Sequence, residues 1–358
     1  MPEVSFLLPV HNGARYLSET LESVLSQDHG DFDVLVVDDG STDSTPKIVE
    51  QLGSHRVRYL AKAHGGLVDA LNHGLLHMDC TFVARIDADD ICFPQRISSQ
   101  LDFLTFTGAV AVSSRSLHID TAGHVLGLSA EHPLFDADPR FLPAKEPYLP
   151  HPFLLARLDA LQELGYRHAH LAEDADLCWR LAERWPIALQ RAVLGKYRLH
   201  ETSVSARSLA SARVQAFFSQ LAALNTVRRG DGRKELPYRV SMTAALTAGA
   251  QGWDALMALY DADLTGDEAT WLHNAALLKL FELASWRNFE PSVADIMTAG
   301  QVVRDIVDLG GTNLENARTL LESVCAPGEG APAQDHPPLH LAIMDPAAAH
   351  PDLRHPTP

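Results

Sequence analysis

The chain has 358 residues, of which 46% are hydrophobic and 21% charged, a composition typical of a soluble globular protein with one large or two ordinary domains. Its net charge of −17 disfavours general binding to nucleic acid or to an anionic membrane, so an anionic substrate must be held locally. No CxxC pair, signal peptide or membrane span is recognisable, and we expect a cytoplasmic protein without a zinc site or disulfide framework.

Strands and helices alternate through the first quarter of the chain. Apolar runs of strand length occupy residues 4–8, 32–37, 57–60 and the segment from Phe82. Helical patterns begin near Leu17, at Thr45, whose hydroxyl is expected to cap a helix opening with Pro46, and after Gly66. This order predicts an α/β fold, a Rossmann-like and mostly parallel sheet flanked by helices.

Polar clusters follow three of these strands, at residues 9–13, 38–41 and 87–90. Because ligands bind beyond the carboxyl ends of parallel strands, we expect the three clusters to share one rim of the sheet. The chain has neither a Gly-x-Gly-x-x-Gly motif after the first strand nor a P-loop. Phosphate would therefore have to be held by a metal ion.

The third cluster is a candidate metal site. In extended backbone Asp87 and Asp89 point to the same side while Asp90 faces away, and paired carboxylates suit Mg²⁺ or Mn²⁺. A solvated acidic turn is the alternative for this stretch alone. Arg85 lies on the same side as Asp87, where it either contacts a phosphate or forms a structural ion pair with Asp87 or Asp89.

A second acidic group opens a predicted helix at residues 171–181. Glu173 and Asp174 lie in its first turn, where helix capping alone would explain them. Asp176 and Arg180, four residues apart, are expected to form a surface ion pair. A last strand over residues 187–198 leads to His200.

Other histidines are given ordinary structural roles. His118, His124 and His132 have no metal-ligand spacing and are expected on the surface or in loops, and His151, between two prolines, is expected in a turn.

Beyond residue 208 the sequence turns to alanine, leucine and helical periodicity, and from residue 326 to proline, glycine, alanine and histidine. We predict three parts: residues 1–207 as an α/β domain, 208–325 as a helical accessory region, and 326–358 as a flexible tail. The helices are expected either to pack on the α/β domain or to form a homo-oligomer contact.

The segment from Val4 to about Ser205 resembles a family 2 glycosyltransferase of the GT-A fold. The resemblance rests on four motifs in order: Leu-Pro-Val-His-Asn-Gly at 8–13, Val-Asp-Asp-Gly-Ser-Thr-Asp at 37–43, Ala-Arg-Ile-Asp-Ala-Asp-Asp at 84–90, and the acidic pair at 173–174. It implies that the first two motifs hold the base and ribose, that the third is the metal-binding DxD, and that the acidic pair supplies the catalytic base.

Residue by residue, the resemblance assigns Asp39 to the uracil edge and Asp174 to the role of general base. Asp38 and Asp39 have a helix-capping turn as their alternative. Asp89 is assigned to the metal, together with His200 as a metal or phosphate contact, and Arg198 or Arg207 to a phosphate clamp. The remaining donor-site residues are Pro9, His11, Asn12, Arg85 and Asp87.

These assignments predict an inverting, Mn²⁺- or Mg²⁺-dependent enzyme that moves a sugar from a nucleotide diphosphate, with UDP expected and dTDP or GDP as alternatives, to an acceptor hydroxyl in surface polysaccharide or glycoconjugate synthesis. The sequence leaves open whether the protein contacts a membrane peripherally and whether it forms homo-oligomers. A noncatalytic nucleotide-sugar-binding scaffold is the second hypothesis, against which the intact Asp89 and Asp174 argue. A nucleotidyltransferase would need a Gly- and Arg/Lys-rich loop that residues 8–15 do not supply.

Overall fold

The computed structural model describes residues 1–129, 137–200, 209–239 and 252–287, together with Asp295, Ala299 and Val302. Within these residues nine strands form one sheet: β1 Val4–Val10, β2 Phe32–Asp38, β3 Val57–Ala61, β4 Phe82–Arg85, β5 Ile91–Cys92, β6 Ala111–Ile119, β7 Val125–Leu128, β8 Leu155–Arg157 and β9 Ile187–Arg198. The helices are α1 Leu17–Leu25, α2 Thr45–Leu52, α3 Leu67–Leu76, α4 Arg96–Thr107, α5 Leu158–Leu164, α6 Glu173–Ala182, α7 Leu209–Gly230, α8 Gly252–Ala258 and α9 Gly266–Arg287.

The first four strands form the parallel part of the sheet, in the order β3-β2-β1-β4. Val10 pairs with Asp38 and Leu7 with Arg85, so β1, β2 and β4 end at the same edge. The prediction that the three polar loops share one rim is confirmed.

Beyond β4 the sheet is mixed. β8 is antiparallel to both β4 and β6, β9 runs parallel to β6, and β5 is antiparallel to β9. Because Ile91 of β5 pairs with Lys196 of β9, the end of β9 lies beside the acidic turn that precedes β5.

Alternating side chains of the buried strands supply two cores, one on each face of the sheet. Phe6 and Leu8 pack in the cluster that contains residues of α1 and α4. Leu7 faces the opposite side and packs with residues of α3, α5 and α6. The helix that carries Glu173 and Asp174 is therefore anchored directly to the sheet.

The helices predicted beyond residue 208 are present as α7, α8 and α9. Their shared core contains the buried rings of Phe217, Phe218, Tyr260 and Phe281, and it extends to Ala172 and Ala175 at the start of α6. These helices therefore pack on the α/β part of the chain, as one of the two sequence-based alternatives expected. The boundaries 1–207, 208–325 and 326–358 stay a prediction, and the tail lies outside the described residues.

Every helix in the described part of the chain is too short or too polar to cross a membrane.

Candidate active site

The loop after β1 is tied to the loop after β2. Asn12 has a φ of 54°, a left-handed conformation that asparagine tolerates better than most residues. Its Oδ1 accepts a hydrogen bond from the Thr42 amide at 2.8 Å, and its own amide donates to Ser41 Oγ at 2.8 Å. Thr45 does not cap α2 with its side chain, because its hydroxyl oxygen accepts the amide of Gly13 at 3.0 Å. The two loops thus form a single rigid unit.

Two donor-site candidates in the first motif differ in exposure. Pro9 is buried within β1 beside Val37, so it offers little open surface to a base. His11 is exposed, and its Nδ1 donates to the Asp39 carbonyl at 2.9 Å. Its ring centroid lies 4.3 Å from that of His64, a residue that no sequence motif marks.

The Asp39 carboxylate is buried and accepts several hydrogen bonds. Lys62 Nζ lies 2.5 Å from Oδ1, and the amides of Gly65 and Gly66 donate to Oδ1 and Oδ2 at 2.9 and 2.7 Å. His64 Nδ1 lies 2.9 Å from Oδ2. Burial by itself would raise the pKa of Asp39, but Lys62 and the two amides outweigh it and hold the pKa below its usual range. Asp39 therefore fixes the loop after β3, and a base N–H would have to compete with these donors.

The DxD segment is a turn. β4 ends at Arg85, and the amide of Asp90 then donates to the carbonyl of Asp87 at 3.3 Å. Asp87 and Asp89 converge as expected. The expectation that Asp90 faces away is wrong, since carboxylate oxygens of Asp87, Asp89 and Asp90 all lie within 4.8 Å of one another. The side-chain alternation of a strand does not continue through a turn.

Of the two roles that the sequence left open for Arg85, the structure shows the ion pair, with Asp87 as its partner. It is 3% exposed, and its guanidinium contacts the Asp87 carboxylate at 2.5 and 2.6 Å. Burial raises the pKa of Asp87, with the charge of Asp89 adding to the effect, although Arg85 opposes both. Arg85 thus neutralises one carboxylate of the acidic turn.

The end of β9 holds the other side of this turn. The Arg198 amide donates to Asp90 Oδ1 at 2.9 Å, its Nε donates to the Asp89 carbonyl at 2.9 Å, and its guanidinium also pairs with Glu19 at 2.6 Å. Arg198 is buried and holds the protein backbone, which argues against a phosphate clamp. His200 Nε2 lies 2.7 Å from Asp89 Oδ2, so the two predicted metal ligands are in contact.

The donor set of the turn fits a hard divalent cation. Three carboxylates converge, and Oδ2 of the fully buried Asp90 has no hydrogen-bond partner within the described residues. An unpaired buried carboxylate oxygen is costly unless a proton or a cation satisfies it. All-oxygen ligands of this kind are those that Mg²⁺ and Mn²⁺ prefer.

Glu173 and Asp174 open α6 and act electrostatically on the same turn. The charge of Asp174 contributes to the raised pKa of Asp87, and Arg85 and Asp87 both influence Glu173. Burial, followed by the charge of Asp174, raises the pKa of Glu173 to about 8. This shift favours the protonated form of Glu173 over its carboxylate near neutral pH.

The expected surface pair on α6 is buried. Asp176 is 1% and Arg180 3% exposed, and their side chains are 2.6 Å apart. Arg180 also donates to the carbonyls of Leu164 and Gly165 at 2.8 and 2.9 Å. The expectation was wrong because Tyr238, from the segment after α7, and the end of α5 cover this face of α6.

His151 is a buried turn residue beside Tyr166. It lies in a short 3₁₀ turn, and its Nε2 is 2.9 Å from the hydroxyl of Tyr166. Burial, with Arg85 adding to it, lowers the pKa of His151 well below its usual range, so the ring is neutral. Among the other histidines, His118 is half-buried in β6, His124 is exposed, and His132 lies outside the described residues.

Residues 5–165 match the family model described as Glycosyl transferase family 2. The putative glycosyltransferase EpsE of Bacillus subtilis (strain 168) is 37% identical over 107 residues, 29% of this chain and 38% of that protein. The O-antigen biosynthesis glycosyltransferase WbnJ of Escherichia coli is 26% identical over 217 residues, 58% of this chain and 84% of WbnJ. The aligned part of the chain spans 32% to 38% of the length of the first three curated relatives.

Solved structures share the fold at low identity. Residues 1–349 of S. aureus TarS in complex with UDP align over 90% of each chain with a TM-score of 0.51 and 17% identity. The mannosyltransferase PcManGT of Pyrobaculum calidifontis, in complex with GDP-Man and Mn²⁺, covers 80% of this chain and 83% of its own, with a TM-score of 0.50 and 19% identity. The GT-A fold with a C-terminal helical region is confirmed.

Proposed function

Since residues 5–165 belong to glycosyl transferase family 2, we propose that the chain transfers a sugar from a nucleotide diphosphate, with UDP as the nucleotide, to an acceptor hydroxyl with inversion. One observation carries the proposal. The rim of the sheet brings a cluster of three carboxylates within electrostatic reach of a separate carboxylate pair at the start of α6. Sugar transfer from a diphosphate needs both groups, one for a cation and one for a base.

On the donor side, Asp87, Asp89 and Asp90 would hold Mn²⁺ or Mg²⁺, with His200 beside Asp89. A bound cation offsets the negative charge that develops on the leaving diphosphate. Arg85 neutralises Asp87 and keeps it in place. His11 and Asn12 border the base and ribose, while Asp39 shapes that site through the loop it fixes. The complexes of TarS with UDP and of PcManGT with GDP-Man and Mn²⁺ support a nucleotide-sugar donor and a cation.

On the acceptor side, Asp174 takes the proton of the acceptor hydroxyl. The hydroxyl oxygen forms a bond to the anomeric carbon while the bond from that carbon to the diphosphate oxygen breaks on the opposite face, which inverts the configuration. Glu173 stays protonated beside Asp174 and so adds no second charge to the base. Surface polysaccharide or another glycoconjugate is the proposed acceptor class.

Thermal stabilisation by nucleotide sugars tests the proposal. The chain is heated with UDP-glucose, UDP-N-acetylglucosamine, dTDP-glucose or GDP-mannose, each with Mn²⁺, with Mg²⁺ or with EDTA. We expect stabilisation by a UDP-sugar that requires the cation and that Asp89→Asn removes. Asp79→Asn, which changes an exposed carboxylate away from the rim, is the control.

Release of UDP from the stabilising donor then measures turnover. Equal UDP affinity with cation and with EDTA, and in Asp89→Asn, would refute the metal assignment. Cation-dependent binding without any UDP release would favour a noncatalytic nucleotide-sugar-binding protein instead.

A further inference from the structure

Helix α6 is held between two cores and presents a different face to each. Leu177 and Cys178 pack in the core under the sheet, and Asp174, three and four residues earlier, lies on their side of the helix. Ala172 and Ala175 pack in the core of α7, α8 and α9. The base candidate thus faces the sheet, while the opposite face of α6 is set by the helical region.

One side chain from the segment after α7 reaches into the first turn of α6. The hydroxyl of Tyr238 donates to Oδ1 of Asp176 at 2.7 Å, while Arg180 holds the other oxygen at 2.6 Å. Asp176 is 1% exposed, so water does not substitute for either partner. The ring of Tyr238 lies 6.0 Å from that of Phe218 in the helical core, which fixes where the hydroxyl points.

The far end of α6 has its own link to the same region. Arg229 near the end of α7 donates to Glu183, at the end of α6, at 2.9 Å, and it also pairs with Glu235 at 3.0 Å. Loss of the Tyr238 contact would therefore leave α6 attached at its far end and remove one of the contacts that hold its first turn. Arg167, whose guanidinium lies 3.9 Å from Asp176, is the cation toward which the released carboxylate would move.

We propose that Tyr238 is a positioning residue, which holds Asp176 so that the first turn of α6 keeps Asp174 in register with the acidic turn after β4. The inference rests on the proposed function. It gives the helical region a part in the reaction, because a displacement of about 1 Å at a catalytic group costs on the order of 10²-fold in rate. In this role the Tyr238 hydroxyl acts on Asp174 through Asp176.

The test compares two tyrosine hydroxyls of the helical region, Tyr238 after α7 and Tyr260 after α8. Tyr238→Phe removes the contact with α6. Tyr260→Phe is the matched control, because its buried hydroxyl donates to the carbonyl of Pro237 at 2.9 Å and not to α6. The readouts are kcat and donor KM from UDP release, UDP affinity by calorimetry, and melting temperature.

We expect Tyr238→Phe to lower kcat about tenfold, with donor KM and UDP affinity within twofold of wild type. Tyr260→Phe should leave kcat near wild type even where it lowers the melting temperature. In Asp176→Asn, adding Tyr238→Phe should reduce kcat by less than twofold, because the two residues act through one contact. Unchanged kcat in Tyr238→Phe, or an equal loss in both phenylalanine variants, would overturn the inference.

Hydrogen exchange separates this inference from the proposed function. Tyr238→Phe should speed exchange of the amides at residues 176–178 while Tyr260→Phe does not, whether or not the chain turns over. Unchanged exchange at these amides would overturn the positioning role. A wild-type chain that binds a UDP-sugar and releases no UDP would refute the proposed transfer, whatever the exchange result.

Discussion

Replacing Asp90 with asparagine should stabilise the protein when no cation is present. Asp90 is fully buried, its Oδ1 accepts the Arg198 amide at 2.9 Å, and Oδ2 has no partner among the described residues. Burial, with the charges of Asp89 and Asp87 adding to it, raises the pKa of Asp90 well above its usual range. Asparagine keeps the acceptor for Arg198 and removes the charge.

The size of the gain follows from the geometry of the turn. Carboxylate oxygens within 4.8 Å of one another repel by about 3.5 kcal/mol for each charged pair at an effective dielectric constant of about 20. The charge of Arg85 offsets that of Asp87, and a proton on Asp90 relieves part of the remaining repulsion. We therefore expect Asp90→Asn to raise the free energy of unfolding by about 2 kcal/mol at neutral pH. This corresponds to a melting temperature about 4–8 °C higher for a domain of about 150–250 residues.

The pH dependence has a defined sign. Because the pKa of Asp90 is raised in the folded state, its protonated form is fully favourable below about pH 4, and that contribution is lost as the pH rises through the folded pKa. The advantage of Asp90→Asn should therefore be absent in acid and grow toward neutral pH. In Mn²⁺ with UDP, wild type should be more stable than Asp90→Asn, because the variant has one carboxylate fewer for the cation.

Melting curves in EDTA and in Mn²⁺ with UDP, from pH 4 to 8, provide the measurement. Asp38→Asn is the matched control. Asp38 is also buried, but its two oxygens accept the Ser41 amide at 2.8 Å and the Tyr59 hydroxyl at 2.5 Å, so its replacement should not stabilise. A variant Asp90→Asn that melts below wild type in EDTA at pH 7 would refute the account of this turn.

Four further changes test the site and the helices that pack on it. Asp174→Asn should lower kcat on the order of 10²-fold or more with UDP affinity little changed, whereas Glu173→Gln should do less; near-normal turnover in Asp174→Asn would remove the base from that position. Because the pKa of Glu173 is raised to about 8, its protonated form stabilises the fold fully below about pH 4.5 and less as the pH rises to 8. The melting temperature of Glu173→Gln should therefore fall less than that of wild type over this pH range. Asp176→Ala leaves Arg180 buried without its carboxylate and should cost about 3–5 kcal/mol in denaturant unfolding, and a cost below about 1 kcal/mol would contradict the buried pair. Truncation after Arg207 should reduce solubility by exposing the face of α6 that the helical region covers, and a soluble, fully active fragment would exclude that role.

The position of the site could be predicted from the sequence because it depends on topology. Parallel strands that end in polar loops place those loops at one edge whatever the side-chain packing, and β1, β2 and β4 do so. The predicted strand over residues 187–198 matches β9. His200 follows this strand, and the pairing of β5 with β9 brings it to Asp89.

The contacts within the site depended on features that no local pattern records. Asp90 joins the carboxylate cluster because the chain turns after Arg85. The side-chain alternation of an extended strand does not predict this turn. The donors to Asp39 come from a loop more than twenty residues away, at Lys62 to Gly66. The burial of Asp176 depends on a segment beyond α7, so its helical spacing alone gave the wrong exposure.

The charge balance of the rim explains why donor binding should depend on a cation. Asp87, Asp89 and Asp90 converge there, Asp174 lies within electrostatic reach, and the whole chain carries a net charge of −17. Arg85 is committed to Asp87 and Arg198 to Glu19, so neither cation is left to neutralise a diphosphate. A diphosphate that approached this rim alone would meet repulsion of the same order as that between the carboxylates themselves. A divalent cation held by the turn would reverse the sign of that interaction, so the same carboxylates that repel the diphosphate would bind it through the cation.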